Sequence, residues 1–203
     1  MRYENFYDPI AHLVIDDFFT EDEYNEVFSL INYLKEFMVR GVYISGSTNN
    51  KEKLDVIQKY NFNVYLSAWP NNIACQRIKE IIETKFWSYE LRKTYLTNKD
   101  SMFQYHHYSN LNEIMISKYP KNGHYDWHRD INRSLTGNIM ISNDQIEGGN
   151  FYLKSNSGQI KEIEFKSNRV IFFPAECQHM VSPVTNDAER FSIQYFTQYK
   201  KLT

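Results

Sequence analysis

Apolar positions recur with two different periods along this chain, and the change from one to the other falls near residue 100. In the first half, Tyr24, Val27, Phe28, Ile31, Leu34 and Met38 lie three or four residues apart, as on one face of a helix. Thr20-Glu21-Asp22-Glu23 just ahead of them is a capping box, with Phe19 placed to pack on Tyr24 as a staple, so a helix begins there and is expected to release the chain near Gly41. Pro70-Asn71-Asn72 opens a second helix, whose expected buried stripe is Ile78, Ile81, Ile82, Phe86 and Tyr89. Between the helices, Phe62, Val64 and Leu66 alternate with Asn61, Asn63 and Tyr65, the pattern of a half-buried strand. From Arg40 to Asp55 the chain is polar and reads as a loop and a candidate lid.

Beyond residue 100 the period shortens to two. Runs rich in β-branched and aromatic residues, separated by turn residues, extend over Glu113 to Tyr119, Tyr125 to Asp130, Leu135 to Ser142 and Asn150 to Leu153, then Ile160 to Phe165, Arg169 to Phe173, His179 to Val184 and Arg190 to Thr197. Strands of this number and length suit a double-stranded β-helix, a jelly roll whose two sheets enclose a site at the open end. The expected fold class is therefore mainly β (α+β). One domain spans residues 1–203, with helical support and the lid loop in 1–100 and the β-helix core in 101–203. No internal repeat or flexible linker interrupts it.

Composition narrows the function classes. A chain of 203 residues is long enough to bury a real core, and its net charge of −2 gives no polyanion-binding surface, so nucleic acid is a disfavoured partner. No apolar run resembles a signal peptide or a membrane span, and the chain reads as cytoplasmic. Its two cysteines, Cys75 and Cys177, form neither a disulfide framework nor a paired metal motif, in keeping with a reducing compartment. The high content of tyrosine and phenylalanine accompanies much Asn, Lys and Ile and reads as compositional bias.

Candidate chemistry lies in the β-rich half. Side chains at i and i+2 of a strand share a face, so His128 and Asp130 can reach one ion together. Two imidazoles and one carboxylate leave three octahedral positions open, as non-haem Fe(II) oxygenases require, and His179 is the natural third ligand. A His-x-Asp triplet is a weak signal by itself, and His124-Tyr125-Asp126 offers a second one upstream on the same expected face. His124 follows Gly123 at a turn, which favours His128. Eleven residues after His179, Arg190 and Ser192 share a face that Gln194 continues; a guanidinium and a hydroxyl so placed can grip a carboxylate. The competing reading is a surface Arg190 paired with Glu189 or Asp187. His106 and His107, adjacent and so on opposite faces, read as structural; Trp127 reads as core packing, Arg129 as solvated, and His12 has no evident partner.

Taken together and in order, Asp130, His179 and Arg190-Phe191-Ser192 resemble the 2-oxoglutarate and Fe(II)-dependent oxygenases, particularly the prolyl 4-hydroxylase-like branch. The resemblance extends to the opening Ile15-to-Glu23 segment, to the run from Tyr119 to Asp130, and to Glu147-Gly148-Gly149, which matches the hairpin before the fourth barrel strand. It implies His128, Asp130 and His179 as metal ligands, with His128 and not His124 aligned to the first of them. It also implies 2-oxoglutarate held by Arg190, Tyr119 and Ser192. The implied cofactors are Fe(II), 2-oxoglutarate as cosubstrate and O2, with ascorbate a candidate reductant.

Two departures qualify the substrate. Where many prolyl hydroxylases carry an aromatic residue on the third barrel strand, this chain has Asn138, Ile139 and Met140, which leaves part of the cosubstrate pocket unassigned. Where nucleic-acid demethylases carry a second arginine six residues after the first, it has Phe196. The expected reaction is hydroxylation of an unactivated C–H bond, in a peptidyl proline, coupled to conversion of 2-oxoglutarate to succinate and CO2. The alternatives are a free amino acid or small metabolite as substrate, a cupin-type oxygenase that does not use 2-oxoglutarate, and a non-catalytic β-helix binding module.

Overall fold

The computed structural model describes residues 2–8, 10–41, 59–91, 109 and 111–198. Most of the expected loop from Arg40 to Asp55, and His106 with His107, lie outside them. In chain order the strands are β1 (Arg2–Phe6), β2 (His12–Asp16), β3 (Val39–Arg40), β4 (Lys59–Tyr60), β5 (Phe62–Tyr65) and β6 (Leu111–Tyr119). They continue as β7 (His124–His128), β8 (Leu135–Ile141), β9 (Phe151–Lys154), β10 (Ile160–Ile163), β11 (Arg169–Pro174), β12 (Gln178–Val181) and β13 (Arg190–Gln198). Helices α1 (Glu21–Leu34) and α2 (Ile73–Phe86) are the α-helices with assigned bounds. No helix among the described residues is long and apolar enough to cross a membrane.

Each helix starts where its cap dictates. Glu23 N–H donates to the Thr20 hydroxyl at 3.3 Å and the Glu23 carboxylate accepts from Thr20 N–H at 2.8 Å. This reciprocal box is worth about 0.5–2 kcal/mol. The Asn72 side chain accepts from Ala74 N–H at 2.9 Å and Cys75 N–H at 3.2 Å to open α2. Helix α1 ends earlier than its apolar stripe predicts: a 3-10 turn over Lys35–Phe37 follows Leu34, and Met38 packs on the core from extended backbone. In α2 the stripe holds from Ile78 to Phe86, whereas Tyr89 lies beyond the helix and is 72% exposed.

The strands form two sheets, ordered β1-β2-β11-β8-β13-β6-β5-β3 and β10-β9-β12-β7-β4, in a jelly roll. Alternation in the larger sheet divides its burial between two cores. Ile114, Ile116, Ile139, Ile141, Phe191, Ile193 and Tyr195 face outward and pack with Val27, Ile31, Ile78, Ile82 and Phe86 of the helices. Met140, Ile171 and Phe173 face inward and meet Phe151, Leu153 and Val181 of the smaller sheet. Both faces are thus covered, which explains the fully buried run of β8. Gly137 belongs to this packing, because a Cβ there would stand 2.8 Å from the Phe86 ring.

Strand β5 departs from the half-buried pattern expected of it. Asn61 and Asn63 are buried rather than solvent-facing, because the chain passes from the smaller sheet at β4 to the larger at β5 and turns these amides inward. Trp127, expected in the core, is half-buried on the outer face of the smaller sheet, edge-on to Tyr152 and under the Lys154 ammonium. Arg129 is exposed and donates to Glu176 O. His12 is fully buried, stacked on Phe6 with Nδ1 on Ile10 O at 2.8 Å.

Candidate metal centre and anion pocket

The two His-x-Asp triplets do not share a face, because β7 carries a bulge. His128 stands opposite His179 and Tyr125 opposite Val181, so Asp126 and Trp127 together oppose the single Met180. The extra residue inverts the alternation. Tyr125 and His128 line one cavity, whereas His124 and Asp126 do not; His124 turns back to bond Asn122 O. Asp130 lies two residues past the end of β7 rather than on it, and its N–H donates to Ala175 O at 2.9 Å, which keeps its carboxylate beside the strand. His179 is the second residue of β12, held between β7 and β9.

One donor atom from each of His128, Asp130 and His179 lies within 4.8 Å of the others. Each imidazole places Nδ1 on a carbonyl two residues earlier, His128 on Asp126 O at 2.7 Å and His179 on Cys177 O at 2.9 Å. A carbonyl only accepts, so Nδ1 carries a proton in both rings and Nε2 is the ring atom left for a metal. The two Nε2 atoms stand 4.0 and 3.5 Å from the oxygens of Asp130. The Thr136 hydroxyl donates to Asp130 Oδ2 at 2.7 Å and orients the carboxylate. Burial, with His179 adding to it, holds the His128 imidazole well below its ordinary pKa, so this ring is a neutral donor. Tyr125 stacks on His128 at 3.5 Å and Phe173 packs on His179 at 4.7 Å, fixing both rings. Two imidazoles that present Nε2 and a carboxylate, converging from one side, are a fitting donor set for a divalent metal that must keep open positions.

Arg190 is among the largest fully buried side chains of the described residues, which overturns the surface reading. Glu189 pairs instead with Lys35 and Lys118, and Asp187 with Lys121. The guanidinium donates from Nε to Gly149 O at 2.8 Å and from Nη1 to Ser192 Oγ at 2.6 Å, while Nη2 is buried with no partner. Burial lowers its pKa to about 10. A buried cation with an unmet donor costs at least about 1–3 kcal/mol and is a ready anion site. Tyr119 lies beside it with its ring 4.8 Å from Cζ, and this ring lines the same cavity as the imidazoles. Burial raises the Tyr119 phenol, which meets the side chains of Asn61 and Ser117.

The close approach to Arg190 depends on Gly148 and Gly149, at φ of +70° and +62°. A Cβ on Gly149 would stand 2.8 Å from Arg190 Cδ, and one on Gly148 would stand 2.2 Å from Pro183 O. Sequence reasoning left the third barrel strand unassigned; Asn138 occupies the cavity wall there, its Oδ1 buried and unpartnered, opposite Gln194, which accepts from Ser117 Oγ at 3.2 Å. Thr136, Tyr125 and Lys59 are further lining residues that sequence reasoning missed. The strand alternation already carried a signal for Thr136, two residues before Asn138; for Tyr125 it pointed the wrong way.

Residues 114–198 match the family model described as the 2OG-Fe(II) oxygenase superfamily. No curated protein matches the chain in sequence at a significant level. Among solved structures, a prolyl-4-hydroxylase of Pseudomonas putida is similar at 13% identity and a TM-score of 0.64, over 93% of this chain and 92% of that one. A Trichoplax adhaerens prolyl hydroxylase, solved with a peptide fragment of a hypoxia inducible factor oxygen degradation domain, is similar at 15% identity and a TM-score of 0.66, over 92% of this chain and 83% of that one. The α-ketoglutarate-dependent epimerase SnoN of nogalamycin biosynthesis is similar at 11% identity and a TM-score of 0.63, over 93% and 77%.

Proposed function

With residues 114–198 a domain of the 2OG-Fe(II) oxygenase superfamily, on a fold like that of the prolyl 4-hydroxylases, we propose that His128, Asp130 and His179 hold its iron and that Arg190 anchors its cosubstrate. The chain is a 2-oxoglutarate-dependent dioxygenase and requires Fe(II), 2-oxoglutarate and O2. The single observation that carries the site assignment is a three-donor cluster in a cavity that Tyr119 also lines, with a buried guanidinium whose Nη2 is unmet packed against that same ring.

Bound together, iron and 2-oxoglutarate supply oxygen activation coupled to decarboxylation of the oxo-acid to succinate. The chain's own residues bind, orient and exclude water. Arg190 takes the far carboxylate through Nη2, with Ser192 and Gly149 O holding its fork in place. Tyr119 adds a phenol beside that carboxylate. Thr136 keeps Asp130 turned toward the imidazoles, and Phe151, Phe173 and Val181 keep the neighbouring cavity wall apolar. No side chain is required as a general base.

The reaction proposed is hydroxylation of an unactivated C–H bond in a peptidyl proline. Support comes from the likeness to prolyl hydroxylases, one of them solved with a peptide. Lys59, inside the cavity, favours a free amino acid as the second reading. The test is incubation of the Fe(II)-loaded protein and 2-oxoglutarate with proline-containing peptides and with free amino acids, followed by mass spectrometry and succinate assay. Gain of one oxygen by a peptide is expected. Modification of free amino acids alone would overturn the peptidyl assignment.

The Arg190 anchor carries a prediction of its own. Gly149→Ala is expected to weaken 2-oxoglutarate binding by at least about fivefold, because a Cβ would push the guanidinium off its carbonyl and the left-handed backbone adds about 1 kcal/mol of strain. Metal affinity should be unchanged, since the metal cluster does not touch the hairpin. Calorimetric titration with each ligand under anaerobic conditions measures both.

A further inference from the structure

Lys59 is a cation in the metal cavity that nothing in the proposed reaction uses. It lies on the edge strand β4, paired in register with Tyr125, and cross-strand partners share a face; both side chains accordingly line the cavity. Its ammonium sits 4.6 Å over the Tyr125 ring, which also stacks on His128. Among the described residues no carboxylate lies within ion-pair distance of it. The neutral Asn63 amide is a partner at 3.2 Å when its oxygen is turned toward Nζ, and it engages one of the three N–H donors. Burial lowers its pKa, opposed only by the more distant charge of Asp130.

Charge balance shows what is missing. With a metal bound both imidazoles are neutral ligands, so among the described residues the charged groups at this cavity are Asp130, Lys59 and, behind Tyr119, Arg190. They sum to one positive charge. Iron brings two positive charges and 2-oxoglutarate two negative ones, so the loaded cavity keeps its single excess. The cosubstrate cannot remove it, because one of its carboxylates goes to the metal and the other to Arg190. Among the described residues the half-buried Lys59 cation has no counter-ion, and an arriving carboxylate supplies one.

We propose that Lys59 is a specificity-determining residue that binds a carboxylate of the substrate, so that the enzyme acts on a C–H bond close to a carboxylate. This rests on the oxygenase reading above and refines its substrate class. The carboxylate can be the main-chain carboxylate of a free amino acid or peptide end, or the side chain of an acidic residue beside the target in a peptide.

The test uses the full chain loaded with Fe(II) and 2-oxoglutarate without oxygen, and calorimetric titration with three matched pairs of probes. These are L-proline and L-prolinamide, a peptide ending in proline as the free acid and as the amide, and an internal proline flanked by Asp or by Asn. At least one acid is expected to bind at least about tenfold more tightly than its neutral partner. Which pair discriminates identifies the source of the carboxylate. Lys59→Met should abolish the preference and leave 2-oxoglutarate affinity within about twofold, and Lys59→Arg should retain it. Absence of any acid preference in the unmodified protein overturns the proposal, as does a Lys59→Met variant that weakens 2-oxoglutarate and not the acid. The two readings fail separately: a protein that binds neither Fe(II) nor 2-oxoglutarate sinks the oxygenase assignment, whereas binding of both without acid preference sinks only the role of Lys59.

Discussion

Asp130→Ala is expected to lower Fe(II) affinity by more than about a hundredfold and to abolish turnover, because the cluster loses its only anionic donor. Asp126→Ala is expected to leave both within about twofold. The second outcome follows from the bulge: the Asp126 carboxylate does not line the cavity, and the atom that serves the site is its main-chain oxygen, which holds His128 Nδ1 and survives in alanine. Equilibrium metal binding and succinate release, measured on both variants beside the unmodified protein, decide the matter. If Asp126→Ala were the more damaging, the ligand set would be displaced by four residues. Thr136→Val makes a graded companion, since it removes the hydroxyl that orients Asp130 without removing a ligand; a loss of about tenfold in metal affinity is expected.

Arg190→Gln is expected to raise the 2-oxoglutarate requirement by at least about tenfold while sparing metal binding, since a desolvated charge-assisted contact is worth about 1.5–3 kcal/mol. Glutamine can neither bring a charged donor to the carboxylate nor fill the volume between Tyr119 and Phe165 that the guanidinium occupies. The same change should therefore lower thermal stability as well. Glu189→Gln separates the effects: it breaks ion pairs to Lys35 and Lys118 at the surface, costing up to about 1 kcal/mol, and leaves cosubstrate dependence alone. Binding isotherms for 2-oxoglutarate with metal present and thermal melts without it read the two quantities independently. Unchanged cosubstrate affinity in Arg190→Gln would remove Arg190 from the site.

Much of this architecture was legible from residue order, and the failures have physical causes. The runs from Glu113 to Thr197 were readable because two-residue alternation is a direct consequence of strand geometry, and the start of α1 because Thr20 and Glu23 answer each other's orphan donors. The geometry of the site was legible where it depends on residue type: His128, Asp130 and His179 come together, as do Arg190, Ser192 and Tyr119. What alternation could not reveal was a place where alternation breaks. The bulge at Asp126 and Trp127 has no glycine to mark it, and it put Tyr125 inside the cavity and Asp126 outside. Asn61, Asn63 and Asn138 were misread or left open for one reason: polarity alone does not tell a solvent-facing amide from one facing a polar cavity. Lys59 was invisible because its neighbour across the sheet is 66 residues away in sequence and nothing local connects them.

The fixed fork of Arg190 also bears on how tightly the cosubstrate is held. A long flexible side chain that must be immobilised to meet a ligand forfeits rotamer freedom worth about 1.5–2 kcal/mol. Here the polypeptide has already spent that freedom during folding, through Gly149 O on one edge and Ser192 on the other. The Nη2 group, with both of its N–H donors unmet, waits in one orientation, so a carboxylate arriving there meets preorganised donors and binding orders almost nothing on the protein side. Cosubstrate affinity should then show a small entropic cost and should reward dicarboxylates of one length: a chain shorter by a methylene leaves the donor unmet, and one longer by a methylene finds no side chain free to step back.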